Sequence, residues 1–216
     1  MKIEFKVIGI TGSIASGKST VADILEKDGK TVVRTDELAK KIMQENEECK
    51  SMIIDAFGEE SFKDGMLNRD FLAEKIFAGT KEAEDNLNIL NGIVHPFVID
   101  EKIRILEKYM RKGLKIVYVE SALIFEAGLE EGYDYIITVY AGEKIAMERA
   151  MKRGMDEKQF RNRLKNQMHP EEKKKRADFV INNEGSIEEL EKSVMFIDDV
   201  IEEMPPKNFG ELNFDK

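Results

Sequence analysis

Runs of apolar residues separated by amphipathic stretches predict five buried strands that alternate with helices. The strands are predicted at 3–11, 31–34, 114–120, 133–140 and 178–182. After the last strand, apolar residues recur at helical spacing, and Ser186 with Glu189 predicts a capping box at the start of that helix. This order is typical of an α/β fold, so we expect a doubly wound, parallel five-stranded sheet covered by helices on both faces.

The second and third predicted strands lie about 80 residues apart, far more than one crossover helix needs. The interval has mostly helical spacing, with predicted breaks at DAFGEESFKDG and at His95-Pro96. We expect a helical insertion at the carboxyl edge of the sheet, where open α/β sheets bind ligands. The predicted organisation is a core of 1–36, 112–143 and 177–204, an insertion of 37–111, a segment of 144–176 and a tail of 205–216.

The junction between the first strand and the first helix carries a phosphate-binding motif. It reads GITGSIASGKST and contains Gly12-x-x-x-x-Gly17-Lys18-Ser19, the P-loop pattern in the strand–loop–helix setting that it requires. Small residues let the backbone wrap a phosphate, with N–H groups pointing inward at the positive end of a helix. We expect Lys18 to contact the β- and γ-phosphates and Ser19 to bind Mg²⁺. The predicted nucleoside triphosphate site comprises Gly12, Ser13, Ile14, Ala15, Ser16, Gly17, Lys18, Ser19 and Thr20.

Among proteins with a P-loop, the sequence favours a kinase that acts on a small molecule. A regulatory GTPase would need Asn-Lys-x-Asp to read guanine, and the sequence has no such motif. A long insertion suits an enzyme that holds a second substrate and excludes water. Asp36, just after the second strand, is the candidate base for an acceptor hydroxyl, or a cap for the following helix. A nucleoside or nucleotide kinase and a nucleotide-dependent interaction switch remain alternatives.

The uneven distribution of charge predicts a lid over the phosphates. The chain carries a net charge of -9, which argues against general nucleic-acid binding, but residues 144–176 contain seven Lys and five Arg against five acids. Arg149 and Arg153 share one helix face, and Arg163 lies on the next helix, where we expect it to bind substrate. The tetrad at 173–176 is expected to be a solvated helix face.

Composition adds expectations about location and partners. The chain has no run of 18 apolar residues, so we expect no membrane span. Its first residues lack a basic stretch followed by an apolar one and a cleavage site, so we expect no secretory signal. Its single cysteine, Cys49, excludes an internal disulfide and is typical of a reducing cytoplasm. We therefore expect a cytoplasmic monomer whose partner is a small-molecule substrate.

Several segments together resemble the dephospho-coenzyme A kinase family, over about residues 6–200. The P-loop is shared by many kinases, whereas NGIVHPFV, ESALIFEAGL and QMHPEEKKKRADFVINNEGS are more specific. The resemblance implies a P-loop kinase that uses ATP to phosphorylate the ribose 3′-hydroxyl of dephospho-coenzyme A, the last step of coenzyme A synthesis. It also implies that the insertion binds this acceptor.

The same resemblance implies roles for single residues. It implies Asp36 as general base, Lys18 and Ser19 as triphosphate and Mg²⁺ ligands, and Arg149 as a lid arginine on the phosphates. It also places Arg69, His95 and the segment after Leu123 at the acceptor, and Asn182 with its neighbours near the adenine of ATP.

Three segments depart from the usual pattern of that family, the first being the P-loop, where Ser13 and Ala15 replace two common glycines that the motif does not require. The family usually has Asp-x-Asp at the end of the second strand, where this chain has Arg34 and then Asp36. It usually has Asp-Val-Pro before Leu-Leu, where this chain has Glu120, Ser121 and Ala122. Glu120 could still assist Mg²⁺ through water.

Overall fold

A computed structural model describes residues 5–207 and shows one parallel sheet at the centre of the chain. Its strands are β1 (Lys6–Thr11), β2 (Val32–Arg34), β5 (Ile116–Glu120), β6 (Tyr135–Tyr140) and β7 (Phe179–Asn182). They lie in the order β2-β5-β1-β6-β7, and all their pairings are parallel. The predicted five-stranded parallel sheet is therefore confirmed, although Ile3, assigned to the first strand, lies outside the described residues.

Nine α-helices lie within residues 5–207. They are α1 (Lys18–Lys27), α2 (Thr35–Glu45), α3 (Glu47–Phe57), α4 (Arg69–Phe77), α5 (Lys81–Arg111), α6 (Glu143–Lys152), α7 (Glu157–Lys165), α8 (Pro170–Arg176) and α9 (Ile187–Glu203). None of the helices in this part of the chain is both long and apolar enough to cross a membrane.

The two faces of the sheet are covered by different helices. On β1, Ile8 and Ile10 pack with side chains of α1 and α9, whereas Val7 points to the other face and packs in a cluster that includes Leu106 of α5. Successive strand residues alternate between faces, and both faces are buried, so β1 is apolar along most of its length. This arrangement confirms the doubly wound α/β prediction.

The insertion is largely helical, as predicted, but one predicted break is wrong. Helix α5 continues through Pro96 without interruption. Proline removes one backbone N–H and its hydrogen bond, yet Ile93 before it and Leu106 after it are both buried in apolar clusters that hold the two halves of the helix. The break at DAFGEESFKDG is confirmed, because α3 ends there and a short hairpin of β3 (Phe62–Lys63) and β4 (Met66–Leu67) follows.

The capping box predicted at the start of α9 is also confirmed. The Ser186 hydroxyl accepts a hydrogen bond from the Glu189 N–H at 3.2 Å, and the Glu189 carboxylate accepts one from the Ser186 N–H at 2.9 Å. Each residue thus satisfies a backbone donor that the first turn of a helix would otherwise leave unpaired.

The strand order brings the ends of three strands together at one edge of the sheet. Ile10 of β1 and Arg34 of β2 both pair with Glu120 at the end of β5. The chain segments that follow these strands are the P-loop, the start of α2 and the loop after β5. Sheet topology therefore places these three segments side by side.

Candidate active site

The loop between β1 and α1 is held in a wrapped conformation that depends on glycine. Gly12, Ala15 and Gly17 have positive φ values of 150°, 57° and 104°. A Cβ atom on Gly12 would overlap the carbonyl oxygen of Val139, and one on Gly17 would overlap the side-chain amide of Asn183. Both glycines of the motif are thus required by backbone conformation and by close neighbours.

This loop presents polar groups that suit an anion. Helix α1 begins directly after Gly17, and within the described residues no side chain caps it and no acid lies in its first turn. The hydroxyls of Ser13 and Ser16 are buried and have no hydrogen-bond partner among residues 5–207. Unpaired donors at the positive end of a helix are the features that bind phosphate groups in proteins.

Lys18 is buried at the base of the loop. Its ammonium donates hydrogen bonds to the carbonyl oxygens of Gly12 at 3.0 Å and Ser13 at 3.3 Å. Burial lowers the pKa of Lys18, and the nearby carboxylates of Asp36 and Glu120 oppose that effect. Lys18 and Asp36, the residue that the sequence predicts as a base, line the same cavity.

A cavity of about 820 Å³ joins the P-loop to the insertion and to the segment 144–176. Seven residues of the predicted site line it: Ile14, Ala15 and Lys18 of the P-loop, together with Asp36, His95, Leu123 and Arg163 from four other parts of the fold. Burial lowers the pKa of His95, so its imidazole favours the neutral form. We call this space the main cavity.

Asp36 lies in the first turn of α2, so its predicted capping role is wrong. The helix begins one residue earlier, at Thr35, with Arg34 in the capping position. The Thr35 hydroxyl donates a 2.9 Å hydrogen bond to the carbonyl oxygen of Glu120, which fixes the start of α2 to the end of β5. Asp36 is thereby left exposed, with its side chain on the wall of the main cavity.

The basic segment 144–176 packs directly on the P-loop. Ile14 and Ala15 contact a buried cluster formed by Ala146, Ala150 and Phe160 of α6 and α7. The loop that carries the motif is therefore covered on one side by the predicted lid.

The end of this segment reaches two further parts of the site. The side-chain oxygen of Gln167 accepts a 2.8 Å hydrogen bond from the Ile14 N–H of the P-loop. The Asn162 amide donates a 3.0 Å hydrogen bond to the carbonyl oxygen of Phe77, and the Arg163 guanidinium lies 4.7 Å from the centroid of the Phe77 ring. The segment thus bridges the P-loop and α4 across the main cavity.

The expectation that the tetrad at 173–176 is a solvated helix face is wrong for Lys173. It is fully buried, and its ammonium lies 2.9 Å from the Ala122 carbonyl oxygen and 2.8 Å from the Glu126 carboxylate. The same carboxylate oxygen accepts a hydrogen bond from the Met168 N–H at 2.9 Å. Burial lowers the pKa of Lys173, and Glu126 opposes that effect. The pair joins α8 to the loop that lines the main cavity.

Ser19 and Glu120 form a polar contact beside the P-loop. The Ser19 hydroxyl donates a 2.8 Å hydrogen bond to one Glu120 carboxylate oxygen, and the other oxygen lies 3.4 Å from the Arg34 guanidinium. Glu120 is buried, and Arg34 also pairs with Asp23 and Glu26 of α1. A hydroxyl and a carboxylate are thus adjacent at the place where the motif predicts a metal ligand.

Comparisons with known proteins agree on one family. The sequence profile of dephospho-CoA kinase matches residues 6–189. A dephospho-CoA kinase from Salinibacter ruber is 38% identical over 188 residues, which cover 86% of this chain and 92% of the relative. The chain belongs to the dephospho-CoA kinase family.

Solved structures agree with this result. TT1252 from Thermus thermophilus is 33% identical with a TM-score of 0.74, and the match covers 93% of this chain and 99% of that one. The dephospho-CoA kinase from Campylobacter jejuni is 26% identical with a TM-score of 0.59, over 92% of this chain and 98% of that one. Similarity extends over almost the whole chain, so it includes the insertion and the segment 144–176.

Three other residues implied by the dephospho-CoA kinase resemblance lie outside the described lining of the main cavity. Arg149 is half-buried on α6, and its Nη1 has no hydrogen-bond partner among residues 5–207. Arg69 is exposed at the first position of α4, and Asn182 is exposed at the end of β7. The next residue, Asn183, is buried and donates a 2.8 Å hydrogen bond to the carbonyl oxygen of Ser16.

The structure therefore adds Gln167, Lys173 and Asn183 to the site of this family member. All three lie in the segment QMHPEEKKKRADFVINN, which is specific to the family. The sequence assigned no role to Gln167, predicted a solvated face for Lys173, and placed Asn183 only as a neighbour of Asn182 near the adenine of ATP. Asn183 has a further signal, since it immediately follows a predicted strand that ends beside the P-loop.

The requirement for glycine at position 17 can be tested by comparing an alanine substitution there with one at Gly29. Gly29 also has positive φ, 85°, but a Cβ there would meet no atom within 4 Å. We expect Gly17→Ala to weaken ATP binding at least about ten-fold, or about 1.4 kcal/mol, because the new methyl group displaces Asn183. Gly29→Ala should retain wild-type affinity and lose about 1–2 kcal/mol of unfolding free energy from backbone strain. Calorimetric ATP titration and urea unfolding measure both, and wild-type ATP affinity in Gly17→Ala would contradict this account.

Proposed function

We propose that this chain is an ATP:dephospho-CoA 3′-phosphotransferase, which converts dephospho-coenzyme A and ATP into coenzyme A and ADP. Family membership supports the reaction. The observation that carries it is the lining of the main cavity, where Lys18 of the P-loop and the exposed carboxylate of Asp36 lie together. A phosphate-binding loop alone would suit many proteins, whereas a free carboxylate facing the same space suits transfer to a hydroxyl.

The P-loop supplies the groups that bind the triphosphate. Backbone N–H groups at the start of α1 and the hydroxyls of Ser13 and Ser16 are the donors available to phosphate oxygens. Lys18 can exchange its two carbonyl contacts for the β- and γ-phosphates, because it makes no ion pair among residues 5–207. The gain of anionic partners stabilises charge that develops during transfer.

Asp36 supplies the base. Its carboxylate orients the ribose 3′-hydroxyl and accepts its proton as the oxygen attacks the γ-phosphorus of ATP. The new P–O bond forms on the 3′-oxygen, the bond between the γ-phosphorus and the β–γ bridging oxygen breaks, and ADP leaves. The position of Asp36 in the first turn of α2 also helps to stabilise its negative charge.

The residues beside the P-loop fit a Mg²⁺ ion. Ser19 and Glu120 offer a hydroxyl and a carboxylate, the hard oxygen ligands that Mg²⁺ prefers. A Mg²⁺ ion bound with ATP needs only one or two protein ligands, so no cluster of three acidic, His or Cys residues is required, and residues 5–207 contain none. When bound, the ion neutralises charge on the β- and γ-phosphates.

We assign the acceptor and lid roles to the two regions that surround the main cavity. Residues 37–111 would hold dephospho-coenzyme A, with His95 on the cavity wall and Arg69 at the start of α4. Residues 144–176 would act as the lid, supported by the contacts of α6 and α7 with the P-loop and with Phe77.

The remaining assignments concern side chains near these regions. Arg149 has an unpaired buried Nη1 suited to a phosphate, and Arg163 adds positive charge to the cavity wall. Leu123 supplies apolar surface for the acceptor, and Asn182 would lie near the adenine of ATP. A monomer is consistent with a cavity formed by one chain, and the free thiol of Cys49 suits the reducing cytoplasm.

An acceptor panel tests the proposed function. ADP release is measured with purified protein, ATP and Mg²⁺ in the presence of dephospho-CoA, a set of nucleosides, or a set of nucleoside monophosphates. We expect turnover with dephospho-CoA to exceed that with each other acceptor at least about a hundred-fold in kcat/KM, a difference of about 2.8 kcal/mol. Preferential turnover of a nucleoside or nucleotide would instead support the other type of kinase.

A substitution at Asp36 tests the base. Asp36→Asn should lower kcat at least about a hundred-fold, the lower end of the usual contribution of general acid–base catalysis, while ATP affinity stays within a factor of about two. The matched control is Glu37→Gln, which removes the neighbouring exposed carboxylate of the same helical turn and should leave kcat unchanged. Steady-state kinetics and ATP titration give both quantities. Near-normal turnover in Asp36→Asn would remove the catalytic assignment and favour a nucleotide-dependent switch.

A further inference from the structure

A second, smaller cavity of about 170 Å³ adjoins the main cavity beside Asp36. The residues that line both are Asp36, Asn91, His95, Leu123 and Ala127. The mechanism described above does not use this space, which we call the side pocket. Any group bound in it would lie next to the proposed base.

The remaining wall of the side pocket is mostly apolar and contains one cation, Lys102, which also lines a neighbouring apolar cavity of about 430 Å³. The apolar side chains include Ala39 and Met43 from α2 and Val94 and Ile99 from α5. A buried apolar cavity of about 150 Å³ admits benzene, so this pocket has room for a flat ring. Because five residues line both this pocket and the main cavity, a bicyclic ring system can extend from one towards the other.

Lys102 is the feature that the rest of the structure does not explain. Its side chain is buried on α5, with 7% of the residue exposed, and its ammonium lies 4.9 Å from the centroid of the Tyr133 ring. Among residues 5–207 it makes no hydrogen bond and no ion pair, and burial lowers its pKa. The ammonium of this largely buried side chain keeps hydrogen-bond donors that no group among residues 5–207 accepts. A ligand atom that accepts its hydrogen bond would account for its position.

The chemistry of the acceptor narrows the choice of ligand group. If the ribose 3′-hydroxyl reaches Asp36, the adenine on the same ribose is the nearest group with apolar faces. The diphosphate is anionic and would lose its hydration against the apolar wall. It is better placed in the main cavity, where Arg163 and Lys165 lie. The pantetheine arm is attached beyond the diphosphate and is therefore farther from Asp36.

On the basis of the proposed function, we propose that the side pocket binds the adenine base of dephospho-CoA and that Lys102 donates a hydrogen bond to one of its ring nitrogens. The apolar walls contact the two faces of the base, and Lys102 donates a hydrogen bond to a ring nitrogen at its edge. The pocket then selects the acceptor by its base and fixes the ribose so that the 3′-hydroxyl lies at Asp36. This assigns a specificity-determining role to a lysine whose sequence setting is that of an ordinary helix.

The test compares two acceptors in two lysine variants. The acceptors are dephospho-CoA and an analogue with indole in place of adenine, which keeps the bicyclic shape but has no ring nitrogen that accepts a hydrogen bond. For the wild type, we expect the analogue to have a KM at least about ten-fold higher, as for loss of a hydrogen bond to a charged group. In Lys102→Met the KM for dephospho-CoA should rise about ten-fold, the ratio between the acceptors should fall by the same factor, and the KM for ATP should not change.

A matched control and a second variant complete the design. Lys108→Met removes an exposed lysine from the same helix and should keep wild-type kinetics with both acceptors. Ala39→Leu adds bulk to the pocket wall and should raise the KM for both acceptors several-fold without changing that for ATP. Thermal unfolding should show Lys102→Met to be at least as stable as the wild type, because it loses an unpaired buried charge.

The outcomes separate this inference from the proposed function. No phosphorylation of dephospho-CoA by the wild type would overturn both. If the wild type is active, only the base pocket is overturned when Lys102→Met keeps the wild-type ratio between the two acceptors, or when Ala39→Leu keeps the wild-type KM. An equal rise in KM for both acceptors in Lys102→Met would likewise overturn it, because that result indicates a contact with the shared diphosphate or pantetheine.

Discussion

The wrapped backbone of residues 12–17 is the constraint on which the whole site depends. Three parts of the fold hold it: Val139 of β6 lies against Gly12, Asn183 after β7 binds the Ser16 carbonyl oxygen, and Gln167 of the segment 144–176 accepts a hydrogen bond from the Ile14 N–H. These contacts fix the donors before any ligand arrives. Preorganised donors are worth more than flexible ones, because little ordering is required on binding. The loop is thus a property of the folded chain and not of its local sequence alone.

Strand order turns this loop into one wall of a shared cavity. With β1 at the centre of the sheet and β5 between it and β2, the P-loop, Asp36 and the loop after β5 emerge side by side. The family usually has acids at the two positions that Arg34 and Glu120 occupy here, and in this chain the two residues form an ion pair across β2 and β5. The chain therefore keeps a carboxylate beside Ser19 while it balances its charge with an arginine.

The sequence predicted features that are determined locally and missed those determined by packing. The P-loop and the capping box at Ser186 follow from spacing within a few residues, and both are present. Pro96 was expected to break a helix, and Lys173 was expected to be solvated. Both predictions fail because buried neighbours distant in sequence outweigh local preference. Lys102 gave no signal, because a lysine within a helical pattern is usually exposed, and its burial depends on how α5 packs near Tyr133.

The most direct test of the proposed roles of the P-loop and Asp36 is a crystal structure of the protein with a non-hydrolysable ATP analogue, Mg²⁺ and dephospho-CoA. We expect the triphosphate within the P-loop, with the ribose 3′-oxygen of dephospho-CoA at hydrogen-bond distance, about 2.6–3.2 Å, from the Asp36 carboxylate. A 3′-oxygen bound away from Asp36 while the triphosphate occupies the loop, or a triphosphate bound outside the loop, would contradict this expectation.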